Sequence, residues 1–190
     1  IGSALWPFWS ATGRMAEGTA WLERAISPND EAPPDVRARA LLRFGNLKID
    51  NADYPAALAS YRESFAISES IGDQRGQAAA LTGEGLVWVI QGDPDAAIHA
   101  LERARSTWQI LGIPRGEAVA LMNLGNAHAY AGNFARASTL FEESLRVRQE
   151  AGDQAGTGYS LYALSRLARI AHDLPSAHHY AIRSLRLFHT

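Results

Sequence analysis

IGDQRGQAAAL occupies Ile71–Leu81, LGIPRGEAVAL occupies Leu111–Leu121, and AGDQAGTGYSL occupies Ala151–Leu161. One phrase therefore returns at a spacing of 40 residues. Self-similarity at a fixed period of roughly 20–50 residues is the mark of a repeat architecture. Inside the phrase, Gly72, Gly112 and Gly152 read as helix stops. Asp73 and Asp153 then read as N-caps of the next helix, and Pro114 opens that helix in the middle copy.

Stacking the chain at this period gives further columns. Leu41, Leu81, Leu121 and Leu161 align, followed by Gly45, Gly85, Gly125 and Ser165. Then come Ala57, Ala97, Ala137 and Ala177, and after them Ser64, Ala104, Ser144 and Ser184. Positions 41, 44, 45 and 48 share one helical face, where a Gly or Ser lets a second helix approach closely. The alanine column sits on that second helix and faces the first. Tyr61, Leu101 and Phe141 follow four residues later and fill the space between neighbouring pairs. A second turn column reads Ala52, Gly92, Gly132 and His172. His tolerates positive φ better than most residues and can replace Gly there. Asp53, Asp93, Asn133 and Asp173 supply the following caps.

The predicted unit is thus a pair of helices of about 17 residues each, with a tight turn after each helix. The copies are 1–39, 40–79, 80–119, 120–159 and 160–190. Ser27–Asp35 (SPNDEAPPD) is expected to be a longer surface loop between the first two copies. Pro7 falls in the first turn of a helix capped by Ser3, where its missing N–H costs little. One hairpin cannot bury its apolar face alone, so stability is expected to come from stacking.

Composition sets outer limits. Hydrophobic residues make up 47% of the 190, enough for a sizeable core. The formal charge of −2 lacks the clustered basic excess of a nucleic-acid binder. With no cysteine, disulfides and thiolate metal sites are impossible. No apolar run reaches the roughly 20 residues of a membrane span. Ile1 begins without Met or a basic flank, so no leader is expected and the chain reads as a piece of a longer, cytoplasmic protein.

These columns resemble the tetratricopeptide repeat (TPR). The residues that carry the likeness in the fourth copy are Leu121, Leu124–Gly125, His128, Gly132, Phe134, Ala137, Phe141 and Ser144–Leu145. The second copy offers Leu41, Phe44–Gly45, Lys48, Ala52, Tyr54, Ala57, Tyr61 and Ser64–Phe65. The third departs at Glu84 and Arg105, and the terminal copies are degenerate. The resemblance implies an all-α solenoid of about five helical hairpins in a right-handed superhelix. The 40-residue form with a Gly-Asp link is similar to repeats of LGN and kinesin-light-chain scaffolds. Phe8–Ile26 resembles the sensor arms of large bacterial regulators.

Catalytic and metal chemistry find no foothold. His172, His178 and His179 cluster in sequence, but no pair has the i, i+4 spacing that places two ligands on one helix face. Glu142–Glu143 beside Arg146 reads as a surface ion pair. GTGYS at Gly156–Ser160 lacks the strand that a nucleophile elbow requires. No phosphate loop is present, and the expectation is a chain without enzyme activity, cofactor or metal. Trp88 falls in the aromatic core column. Trp6 and Trp9 are either terminal core or a surface for a preceding domain.

The resemblance places function on the concave face lined by the first helix of each pair. Carried across, the groove positions are Arg39, Leu42, Asn46, Ile49 and Asp50 in copy two, and Thr82, Leu86, Val89 and Ile90 in copy three. Copy four supplies Met122, Asn126, Ala129 and Tyr130. Copy five supplies Tyr159, Tyr162, Arg166, Arg169 and Ile170. Some TPR domains hold a peptide's terminal carboxylate with Asn, Lys and Arg at such positions. Asn46, Asn126 and Arg166 match in type, whereas Leu86 and Tyr162 depart. The leading expectation is a scaffold module that binds a protein or peptide segment, acidic or C-terminal in character. The alternative is the effector-sensing arm of a bacterial transcriptional regulator or signalling ATPase. Tyr180, Ile182, Leu185, Leu187 and Phe188 on the last helix point to self-association through an exposed end.

Overall fold

The computed structural model describes residues 15–27 and 32–188. Ser3, Trp6, Pro7, Trp9 and Gly13 lie outside them. Among the described residues all regular structure is α-helical: α1 (Met15–Ile26), α2 (Pro34–Asp50), α3 (Tyr54–Ser70), α4 (Gln74–Gln91), α5 (Pro94–Ile110), α6 (Pro114–Tyr130), α7 (Phe134–Glu150), α8 (Gln154–Ile170) and α9 (Leu174–Phe188). Helices α2 to α8 are 17 or 18 residues long, as the repeat predicts. The loop expected over Ser27–Asp35 is shorter than that stretch. Pro34 already opens α2, because its missing N–H and fixed φ suit a first helical position.

The chain divides into two compact units, Ile1–Val87 and Trp88–Thr190, with the division inside α4. In the first unit α1 packs on α2 and α2 on α3; in the second, each helix from α5 to α9 packs on the next. The second unit's core joins Leu101, Leu121, Leu124, Leu140 and Val147, with half-buried Trp88 packed against it.

Every helix from α2 to α8 ends in one kind of turn. The residue in left-handed backbone is Ala52, Gly72, Gly92, Gly112, Gly132, Gly152 or His172, with φ between 57° and 77°. Its N–H and the next one reach back three and five residues: Ala52 to Ile49 and Asp53 to Lys48, through to His172 to Arg169 and Asp173 to Ala168. This Schellman pattern satisfies carbonyls that the helix end leaves open. Asp53, Asp73, Asp93, Asp153 and Asp173 then accept the N–H three residues on, capping the next helix. Asn133 stands at the same position but its side chain makes no cap bond, so α7 starts on backbone bonds alone.

Two columns do more than repetition reveals. Ser64, Ser144 and Ser184 are buried, and each hydroxyl donates to the carbonyl 26 residues earlier, of Ala38, Ala118 and Gly158. They fasten the second helix of a pair to the first. The second glycine of the opening phrase has a different task. A Cβ at Gly76, Gly116 or Gly156 would collide with Ser68, Trp108 or Arg148, eight residues earlier. These glycines make room for three unlike side chains at one kind of joint.

Candidate functional site

In the first unit, the groove positions are only partly free. The Tyr61 hydroxyl donates to Asn46 Oδ1 at 2.6 Å. Tyr61 is buried, and its ring lies where a Cβ on Gly45 would stand 2.7 Å away. Burial, and then the Asp50 carboxylate, push its hydroxyl above the usual tyrosine range. The Asn46 side-chain oxygen is therefore engaged by Tyr61, although Asn46, like Asp50, is exposed. Arg39 is paired with Asp35 at 2.6 Å. Leu86 is half-buried.

The second unit holds Ile90, Met122, Asn126, Tyr130, Tyr162, Arg166 and Arg169. Asn126 and Arg166 come together from α6 and α8. They line a notch of about 20 Å³ with Ala129, Phe141, Leu167 and Ile170. That volume holds about one water, so the notch suits a single polar group over an apolar floor. The Arg166 guanidinium lies over the Tyr162 ring, 5.9 Å from its centre, within cation–π range. Tyr162 itself is 54% exposed. Neither Arg166 nor Arg169 has a carboxylate partner among the described residues. Tyr130, 65% exposed, and Arg169 do not line the notch, but each adjoins one of its lining residues in sequence.

Three groove assignments change. Met122 packs against the core cluster of Phe141, Leu164 and Leu167, because its long side chain reaches the space beside the Phe141 ring. Tyr159 stands edge-on to Phe188 at 5.2 Å and is still 59% exposed, so it shares its face between packing and the surface. Val89 is buried in the core. Ile90 is exposed.

Two polar groups escaped the sequence reading. Arg148 is buried in α7, with Nε 3.3 Å from Ser144 Oγ and a guanidinium nitrogen 3.5 Å from Asp153. Burial lowers its pKa, and Asp153 opposes that shift. The signal was Gly156, which clears its path. His128 Nδ1 is buried without a partner; burial and then Arg136 lower its pKa. His172, His178 and His179 are exposed.

The tetratricopeptide repeat profile matches residues 36–109 and 116–188. The chain belongs to the tetratricopeptide repeat family. Among solved structures it is similar to BtubC (BKLC) from P. vanneervenii, with 20% identity, a TM-score of 0.71, and coverage of 96% of this chain and 73% of that one. It is also similar to a Podosopora anserina putative kinesin light chain with nearly identical TPR-like repeats, at 14% identity, a TM-score of 0.68, and coverage of 98% of this chain and 92% of that one. At these identities the likeness shows the TPR fold. No curated protein matches the chain. Among the described residues no helix of this TPR array is long and apolar enough to cross a membrane.

Proposed function

We propose that this TPR array is a non-catalytic, cytoplasmic module that binds a peptide or protein segment through the exposed faces of α6 and α8. The observation that carries the reading is Arg166, set between the Asn126 amide and the Tyr162 ring without a carboxylate of its own. A guanidinium presents a planar fork to a carboxylate, and a neighbouring amide adds a donor. Tyr130 and Tyr162 offer large, rigid contact area with a polar tip. The favoured ligand is therefore acidic or carries a free C-terminus.

The test is fluorescence anisotropy with a panel of acidic peptides, each with a free and an amidated C-terminus. Arg166→Glu combined with Tyr130→Ala should weaken the best binder at least tenfold, about 1.4 kcal/mol. Melting should change little, since both side chains lie outside the core. Normal binding by this double variant, together with loss in a variant of exposed α7 residues such as Glu142→Arg, moves the site to the opposite surface.

The regulator-arm alternative draws on one observation. Trp21, 52% exposed, carries the Arg24 guanidinium 5.3 Å from its ring centre, a surface suited to a preceding domain. On α9, Ile182 and Leu185 are exposed. Self-association through that face is checked by light scattering across a concentration series.

A further inference from the structure

The joint between α7, α8 and α9 is built differently from its counterparts. Leu58 is buried and Ile98 packs on the core, but the same column continues as Ser138. Lys48 reaches the cap carboxylate of Asp53 at 3.4 Å, and its column continues through the large side chains of Trp88 and His128 to the small Ala168. Asp173, like Asp93 in the same cap column, has no cationic partner among the described residues. Two large side chains are thus replaced by small ones at one place, and the cap aspartate beside them carries no cation.

What remains is a pocket of about 320 Å³. Leu164 and Leu167 floor it, Phe134 and Tyr180 wall it, and Asp173 and Ser138 stand at its polar edge. The Ser138 hydroxyl donates to Glu142 at 3.2 Å, which brings a second carboxylate close behind the edge. Asp173 accepts the Ser176 N–H at 3.1 Å and is exposed, so it keeps acceptor capacity. The nearby cation in sequence, Arg136, lies beside His128 and does not line the pocket.

We propose that this pocket binds a free small amine, with its ammonium on Asp173 and a ring or short alkyl body in the space that Leu58, Ile98 and the Lys48 stem mark out elsewhere. Size favours a small molecule, since ligand pockets begin near about 300 Å³. Charge favours an amine, because the two carboxylates repel an anion and attract an ammonium, and Phe134 and Tyr180 supply aromatic lining for its body. This site is separate from the Asn126–Arg166 notch and does not depend on the peptide-binding reading.

Phenethylamine is the probe, titrated into the full chain and followed by isotope-edited NMR and calorimetry. Shifts should centre on residues 134–138 and 164–176, with a Kd near or below about 1 mM. Phenethyl alcohol, which lacks the charge, should bind at least tenfold more weakly. Asp173→Asn should also lose at least tenfold while leaving the helix formed, since α7 starts behind Asn133 in the same column without a side-chain cap bond. Ser138→Ile supplies the plug and Ala168→Lys supplies the internal cation that Lys48 provides in the second copy; each should abolish binding without lowering the melting temperature. Either variant suffices if the other fails to fold. Equal binding of the alcohol, wild-type affinity in Asp173→Asn, binding that survives the filled pocket, or no binding of phenethylamine at all overturns the proposal. A lysine peptide that binds tenfold more tightly than phenethylamine overturns the assignment to a free small molecule.

Discussion

Asn46 and Asn126 stand in one column of the repeat and are used differently. In the first unit the Tyr61 hydroxyl holds the Asn46 amide at 2.6 Å. In the second, the residue in the Tyr61 column is Phe141, which has no hydroxyl, and Asn126 opens into the notch beside Arg166. One hydroxyl on the facing ring decides whether the amide oxygen is held or left open. A groove position read from a family column is therefore half the information; the ring that faces it supplies the other half.

The largest effect expected from breaking this arrangement lies beneath both amides. A Cβ at Gly45 would press on the Tyr61 ring, and one at Gly125 on the Phe141 ring. Gly125→Ala should cost about 1–3 kcal/mol, the usual range for overpacking. Gly45→Ala should cost at least as much, because Tyr61 is held at its hydroxyl as well as by packing. Denaturant unfolding of the two variants ranks them, and a smaller loss for Gly45→Ala would show that the hydroxyl bond does not fix the ring.

Exchanging the oxygen sharpens the comparison next. Phe141→Tyr should turn the second unit's amide into a copy of the first. The new hydroxyl should reach Asn126 as Tyr61 reaches Asn46, adding about 1 kcal/mol of stability. Tyr61→Phe should do the reverse in the first unit, losing about 1 kcal/mol. It should also remove part of an alkaline transition. Tyr61 has a raised pKa in the folded state, so its contribution is intact below the unfolded value of about 10 and is lost as pH rises through the folded value. Melting curves across that range should separate wild type from Tyr61→Phe, and coincident alkaline limbs would contradict the assignment.

The turns and helix lengths were legible because backbone geometry restricts which residues can stand in them. Gly72, Gly112 and Gly152 mark left-handed positions, and the column alone carried His172 to the same backbone. Side-chain partnerships were not legible in the same way. Ser64, Ser144 and Ser184 read as small residues, and their hydroxyl bonds across 26 residues emerge only once the helices are paired. Gly76, Gly116 and Gly156 were visible as glycines, but what each accommodates is a different side chain, so no shared pattern named it. In the candidate site, Asn126 and Arg166 came from the groove positions the TPR resemblance implies, and both line one notch. Met122 packs on the core cluster and Tyr159 touches Phe188, because an apolar or aromatic residue at a helix face satisfies a groove and a packing contact equally well.

The smallest expected effect concerns Ala52, an alanine among glycines. Its φ of 57° is the left-handed value adopted by Gly92 and Gly132 in the same column. An L-residue with a Cβ pays about 1–2 kcal/mol there, whereas glycine pays no steric cost. Glycine in turn has more freedom to lose from the unfolded chain, about 0.4–1 kcal/mol relative to alanine. The difference predicts that Ala52→Gly stabilises the protein by about 0.5–1 kcal/mol, a rise in Tm of about 1–4 °C for a chain of this size. Ala52 is exposed, so no packing is lost in the exchange. Gly92→Ala should destabilise by a similar amount, and His172→Gly should gain less than Ala52→Gly, because His tolerates this region better than Ala. Calorimetry on the three variants gives the order directly. A fall in Tm for Ala52→Gly would mean that the unfolded-chain term exceeds the strain at this turn.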